Sequence, residues 1–364
     1  MIVKDEAHVI ERCLRSVLPL VDWWVVCDTG SSDGTQDVVR RVMGDLPGEV
    51  LEHEWVNFGH NRQLALDAAR ALPHSTPDDV ALWIDADEEF VDLPETFERR
   101  TEGPAAWLDL PQESDGLALQ VRYGELRYHR VSGVRLGRRW EWREPVHEHL
   151  SLDGAVLTHL ESPQVLVRKE GARSKDPETY RKDTALLEAE LRKRPDHART
   201  QFYLAQSLFD AGETERAVEL YRRRAANHSG WESERGVALH RLARGLEQLG
   251  RSAEEVADAY AAAWDAAPHR AEPLVDLARV ERLRGRHHLA QLFAERAVSL
   301  PLPASDELFV DDSVYRWRAL DEYAVTCSWS GRMREGRRAA EEALAAAPGE
   351  ERLRQNVEWF RAHE

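Results

Sequence analysis

The chain is poor in cysteine, with Cys13, Cys27 and Cys327 as its only three thiols in 364 residues. An odd and scattered set does not form a disulfide framework and fits a reduced compartment. Long hydrophobic runs are absent too: no apolar stretch approaches membrane-spanning length, and no charged-then-apolar leader opens the chain. A cytoplasmic location without a membrane span is therefore expected. Positive charge is in short supply, with 49 Lys and Arg against 66 Asp and Glu and a net charge of -17. That balance excludes nucleic acid and anionic membrane surfaces as partners, because a polyanion repels it. The phosphate-binding patterns GxxxxGKS/T and GxGxxG are also missing, so any phosphate must be met by other groups.

What is present is ordinary globular material, 42% hydrophobic and 32% charged, in a length that suits two domains. The most pointed stretch is Val80–Phe90, VALWIDADEEF. Its apolar start suits a strand buried on both faces of a parallel sheet, and such a strand delivers the residues after it to the ligand-binding edge. Those residues are Asp85, Ala86 and Asp87. Two carboxylates one residue apart repel each other, and a divalent cation or a cationic substrate between them relieves that. The plainer alternative is an acidic turn capping a helix that begins near Leu93.

Three strand and helix pairs precede this point. Ile2 and Val3 end a first strand; Ala7–Val17 carries one apolar stripe; Trp23–Cys27 is a second strand. It runs into Asp28-Thr29-Gly30-Ser31-Ser32-Asp33-Gly34-Thr35, a loop whose glycines let backbone approach a ligand and whose first acid can accept hydrogen bonds from a base or ribose. A helix over Thr35–Val42, a third strand over Val50–Trp55 and a helix from Phe58 to about Ala71 complete an α/β half, with the Asp28 and Asp85 loops on one edge. Arg62 falls in the first turn of that last helix, where a cation gains nothing from the helix dipole. It is either solvated or paired with an anion. Beyond lie a hairpin, Leu117–Tyr123 with Leu126–Val131, and then Arg135, Arg138, Arg139, Trp140, Trp142 and Arg143. Such a mixture suits a sugar face and a diphosphate, or is simply a surface cluster. A short strand over Ala155–Leu157 precedes His159, and a lone histidine at such a place is usually structural.

From Asp176 the pattern is helical throughout. Ala205, Ala243, Ala278 and Ala324 each precede a glycine by seven residues: Gly212, Gly250, Gly285 and Gly331. A small residue where helices press together, a glycine turn and a second amphipathic helix form the tetratricopeptide signature. The longer step to Gly331 leaves Leu300–Asp312 as an insertion. Stacked helix pairs offer a concave surface for a peptide or protein, and also dimerise or brace a neighbouring domain.

The blocks MIVKDEAHVIERCLRSV, VVCDTGSSDGT, FGHNRQLAL and LWIDADEEF, in that order, resemble family 2 nucleotide-sugar glycosyltransferases of the GT-A fold, in particular the bacterial branch with C-terminal tetratricopeptide repeats. The resemblance implies an α/β GT-A domain over 1–165, a linker near 166–175 and a repeat domain over 176–364. It implies that Lys4, Glu6 and Asp28 line a uridine pocket shaped by Thr29 and Gly30, with Arg62 and Asp85 toward the nucleotide. Asp85 and Asp87 would hold Mn²⁺ or Mg²⁺ against the donor diphosphate, with His159 as a third ligand and Glu148 as general base. Two departures stand out: the family has several residues ahead of the MIVK block, so the first strand is short or its start misassigned, and Asp5 stands where Asn is usual.

The expectation is thus an inverting glycosyltransferase that moves a sugar from a UDP-sugar to a peptide, protein or small-molecule acceptor. Two rivals remain: a tetratricopeptide scaffold with a non-catalytic nucleotide-binding domain, and a nucleotidyltransferase, which would need a second phosphate site richer in lysine.

Overall fold

The computed structural model describes residues 1–93, 110–303 and 308–363. It divides into two compact units, Met1–Leu186 and Leu187–Glu364. The first holds β1 (Ile2–Val3), α1 (Ile10–Val17), β2 (Trp24–Asp28), α2 (Thr35–Met43), β3 (Gly48–Glu52), α3 (Phe58–Ala71), β4 (Val80–Leu82), β5 (Glu88–Val91), β6 (Gly116–Tyr123), β7 (Leu126–Arg135), β8 (Glu141–Arg143), β9 (His149–Ser151), β10 (Leu157–Val167) and the short α4 (Ala172–Lys175). Helix α5 (Thr179–Lys193) spans the junction.

Strands β1, β2 and β3 form a parallel sheet in that order, joined by crossover helices. The stripe of α1 is buried as its 3.6-residue period demands, at Ile10, Cys13, Leu14 and Val17. Ile10 and Leu14 pack with Val3, Val26, Val39 and Met43 in one cluster, while Cys13 and Val17 pack with Ile84, Phe90, Leu117 and Val165 in another.

The expected fourth parallel strand is corrected by the structure. β4 pairs antiparallel with β7, Val80 opposite Arg135 and Leu82 opposite Gly133, and its residues are half-buried. It belongs to a second sheet, in which β7, β6, β10 and β5 are neighbours in that order. Gly133 makes the close pairing fit, since a Cβ there would lie 2.9 Å from the Leu82 and Leu117 side chains. Two strand boundaries also shift. β3 ends at Glu52, leaving Trp55 exposed, and β10 extends to Val167, with a register shift between Leu160 and Val165. The helix considered from Leu93 falls outside the described residues.

In the second unit α6 (Ala198–Asp210) and α7 (Thr214–Ala226), α8 (Glu232–Gln248) and α9 (Ala253–Ala266), α10 (Glu272–Leu283) and α11 (His287–Val298), and α12 (Ala319–Trp329) and α13 (Met333–Ala346) are four helical hairpins, followed by α14 (Glu351–His363). Ala205, Ala243, Ala278 and Ala324 are fully buried, and Gly212, Gly250, Gly285 and Gly331 all hold left-handed φ between 66° and 81° at the turns. The repeat legible in the sequence is therefore the repeat of the structure. The insertion before α12 is tied down by Arg270, which donates to the carbonyls of Leu308 and Phe309 and pairs with Glu272.

Candidate active site

β2 delivers Asp28 to the carboxyl edge of the parallel sheet, where it is 1% exposed. Its Oδ1 accepts from the amides of Gly30 and Ser31, both at 2.8 Å, and Gly30 holds φ 105°. This is an Asx turn, and it leaves Oδ2 buried with no hydrogen-bond partner among the described residues. Thr29 faces inward, its Oγ1 donating to the Val3 carbonyl at 3.0 Å. Asp5 sits at φ 55°, a conformation that Asp and Asn tolerate, and accepts from the Ser32 amide. The usual asparagine is thus replaced by a residue that serves the same backbone. Lys4 beside it is exposed.

Arg62, expected at the nucleotide, is 6% exposed, and its guanidinium is taken up by two carboxylates. Nε donates to Glu148 at 2.5 Å and Nη2 to Asp85 at 2.6 Å. The guanidinium carbon lies 4.7 Å from the Trp83 ring centre and 5.1 Å from that of Trp142, whose rings meet edge to face. Of the arginine–tryptophan stretch read from the sequence only Trp142 joins this site; Arg138 pairs with Asp115 and Arg135 donates to the Ser114 and Leu110 carbonyls. Arg130 lies on the other side of Trp83, 3.9 Å from its ring centre, and pairs with Glu88 at 2.6 and 2.8 Å. Burial pushes the Asp85 carboxyl up, but Arg62 and Arg130 outweigh it and hold it below the ordinary carboxylate range.

Glu148 owes its place to the loop before β9. Pro145 accepts from the Phe58 amide at the start of α3, and a Cβ on Gly59 would collide with the Glu144 carbonyl at 2.4 Å. Glu144 and His147 both sit in the left-handed region, at φ 72° and 53°. Two strained residues close before one acid mark a backbone shaped to present it.

Asp87 and Glu6 form the opposite wall. Asp87 accepts from the Gly171 amide at 3.3 Å, and Glu6 from the Ala172 amide at 3.1 Å. The chain passes so close that a Cβ on Gly171 would lie 3.1 Å from Asp87 Oδ2 and 3.2 Å from Glu6 Oε1. Burial and the neighbouring acids raise both carboxyls, Glu6 to about 7 and Asp87 above its usual range. Glu6 and Asp87 are thus pushed toward their protonated forms, beside an Asp85 that its arginines hold below the ordinary range.

The structure does not bring His159 to this wall. It stands exposed on β10 opposite Ala118, with its ring 5.3 Å from that of His129, whereas Asp87 lies beside Arg168 beyond the Tyr123 end of β6. Five strand residues separate those levels, roughly 16 Å. Among the described residues no three His, Cys, Asp or Glu side chains are already disposed to hold a metal ion. Sequence reasoning misses Arg130, Gly171 and Ala172. Arg130 sits on a strand far from Glu88 in sequence, and the other two act through backbone amides, which carry no residue signature.

Residues 1–146 match the family model described as Glycosyl transferase family 2, and this N-terminal region is a domain of that family. Over 158 residues the chain is 32% identical to a TPR repeat-containing protein of Synechococcus elongatus, covering 41% of this chain and 34% of that protein. The chain thus spans about a third of the length of that curated relative. Among solved structures it is similar to MamA (16% identity, TM-score 0.38, 46% of this chain and 88% of that one). It is also similar to YrrB, a TPR protein with an unusual peptide-binding site (17% identity, TM-score 0.39, 52% and 84%).

Proposed function

We propose that the protein is an inverting glycosyltransferase that moves a sugar from a UDP-sugar to an acceptor hydroxyl or thiol. The observation that carries this reading is the buried Asp28 Oδ2 at the end of β2, which has no partner among the described residues, in a region that matches the model of glycosyl transferase family 2; the interacting acids Glu6, Asp85 and Asp87 add to it. Asp28 Oδ2 is an acceptor waiting for the donor N–H of a base or the hydroxyl of a ribose. Asp85 and Asp87 offer carboxylate oxygens of the kind that Mg²⁺ and Mn²⁺ take, and the repulsion that Asp85 exerts on Asp87 is what a cation would relieve. Asp87 and Asp85, with Glu6 beside them, would hold it. Such an ion supplies charge stabilisation to a departing diphosphate.

The chain's own residues do the rest. Arg62 fixes the Asp85 and Glu148 carboxylates relative to each other, and the tryptophan walls keep water from the guanidinium. Glu148 keeps Oε2 outside its bond to Arg62 and accepts the acceptor's proton. The helical repeats present a surface for a peptide or protein, which is the acceptor class this architecture favours.

Incubation with a panel of nucleotide sugars tests the proposal. Sugar-dependent UDP release supports transfer; release of pyrophosphate supports nucleotidyl transfer, and no release supports a binding protein. Calorimetry of UDP with and without Mn²⁺ should show ion-dependent affinity in the wild type and none in Asp87→Ala. Equal dependence in both would remove Asp87 from the ion's shell.

A further inference from the structure

The loop between β3 and α3 holds an apolar patch in solvent: Trp55 is 42% exposed and Val56 beside it 54%. Singly exposed apolar side chains are ordinary on a surface. What sets these two apart is how firmly they are held. The buried Asn61 side chain takes up three backbone groups of the loop, its Nδ2 donating to the Glu54 carbonyl at 2.9 Å and its Oδ1 accepting from the Val56 and Asn57 amides at 3.0 and 3.3 Å. Asn57 in turn caps α3, its Oδ1 accepting from the His60 amide at 2.9 Å.

The indole ring is fixed as well. Trp55 meets Phe58 edge to face with ring centres 4.7 Å apart, and the Arg173 guanidinium carbon lies 4.5 Å from the Phe58 ring centre. Arg173 is itself anchored, donating to the buried Asp183 carboxylate at 2.5 Å. Trp55 is thus the outermost member of a stack set in place by the fold, and a rigid aromatic ring gives up little freedom when something lies on it.

This stack stands beside Glu148. Phe58 and Arg62 are four residues apart on α3 and so share one helix face, and Arg62 is the residue that bonds Glu148. The Phe58 amide also donates to the carbonyl of Pro145, three residues before that acid. Burial raises the Asp183 carboxyl against the pull of Arg173, and the Glu148 charge adds to the rise, as it does only for a near neighbour. A group resting on Trp55 therefore belongs to the molecule that Glu148 deprotonates. The outward face selects its chemistry. Asn61 spends its amide inside the loop and Asn57 its oxygen on the helix, which leaves the apolar Trp55 and Val56 with the exposed carboxylates of Glu52 and Glu54. An apolar patch with a negative rim suits an apolar side chain next to a cation better than a ring of sugar hydroxyls.

We propose that Trp55 and Val56 form an acceptor subsite, and that its occupant is a peptide segment with an aromatic side chain beside a lysine or arginine. One helical turn and one ring contact separate the subsite from the Arg62–Glu148 pair, so the anchored residue lies roughly two or three positions from the one that receives the sugar in an extended chain. The assignment rests on the glycosyltransferase reading and narrows its acceptor.

The probe is the fluorescein-labelled peptide Lys-Phe-Gly-Ser-Gly-Phe-Lys, symmetric so that either chain direction fits, compared with Lys-Ala-Gly-Ser-Gly-Ala-Lys by fluorescence polarisation on the full-length protein with UDP and Mn²⁺. The wild type should bind the phenylalanine peptide at least about tenfold more tightly, Trp55→Ala should lose that preference, and Trp55→Phe should keep most of it. With the donor that releases UDP, Trp55→Ala should raise KM for the peptide by a similar factor with a smaller change in kcat. Equal binding of the two peptides, no binding of either, or a preference that survives in Trp55→Ala would overturn the proposal. Displacement of the labelled peptide from wild type but not from Trp55→Ala by maltose, with no sugar transferred to the serine, would overturn it in favour of a carbohydrate acceptor. The glycosyltransferase reading stands or falls separately, on sugar-dependent UDP release, which requires no peptide.

Discussion

A single buried cation decides how the two central acids stand. Arg62 bonds Asp85 with one nitrogen and Glu148 with another, and its planar fork suits that bridging as a lysine would not. Glu148→Gln keeps the shape and an acceptor oxygen for Arg62 but cannot take a proton. Turnover should therefore fall by ~10²- to 10⁴-fold while UDP affinity is unchanged, as measured by steady-state kinetics and calorimetry. Wild-type turnover in that variant would take Glu148 out of the chemistry. At this scale the sequence points to the acids but not to their partners. Asp28, Asp85 and Asp87 stand out because they close apolar runs, whereas the engagement of Arg62 with Glu148, 86 residues away, depends on folding that no local pattern encodes. His159 has the right residue type and the wrong strand level.

Among elements, the glycine turns show how local physics makes structure legible. Gly250 holds φ 66° with nothing within 4 Å of a Cβ, so Gly250→Ala should cost about 1–2 kcal/mol through backbone strain alone. Gly245, inside α8, has ordinary helical backbone, but a Cβ there would sit 2.6 Å from Val218 Cγ2. Gly245→Ala should cost roughly 1–3 kcal/mol through overpacking, and Val218→Ala should restore part of that loss while leaving the cost of Gly250→Ala unchanged. Urea denaturation of the two double variants separates the causes. The four hairpins are readable because each repeats a helix period and a turn within a few dozen residues. The sheet is less so. An all-apolar run such as Val80–Leu82 says that a strand is enclosed, yet its partner β7 lies some 50 residues downstream, and the antiparallel choice belongs to that partner. β10 reads shorter than it is because Glu161, Ser162 and Pro163 interrupt its apolar pattern where the register shifts.

For the molecule as a whole, an excess of negative charge must be reconciled with a helical array that buries many acids. It is done pair by pair: Glu272 with Arg270, Glu322 with Arg282, Glu234 with Arg199. Burial raises the Glu272 carboxyl, but Arg270 and the Tyr315 hydroxyl overcome it, so its folded pKa lies below the ordinary 4.5. A depressed carboxyl contributes stability that is complete above 4.5 and is lost as pH falls through the folded value. The array should therefore lose helical circular dichroism on acidification below that point. Glu272→Ala should cost about 3–5 kcal/mol at neutral pH because it strands the Arg270 charge, and its stability should depend less on acid than the wild type's.

The three thiols are all buried and unbridged, and burial raises the pKa of each. Cys13 donates to the Asp85 carbonyl at 3.2 Å, directly under the acidic loop. A sulfur sealed in that position is a built-in clock for breathing. Its alkylation, followed by peptide mass spectrometry, should be slower than in the unfolded chain by orders of magnitude and slower again with UDP and Mn²⁺ present. Cys327, in the last hairpin, should ignore the nucleotide and so serve as the internal reference.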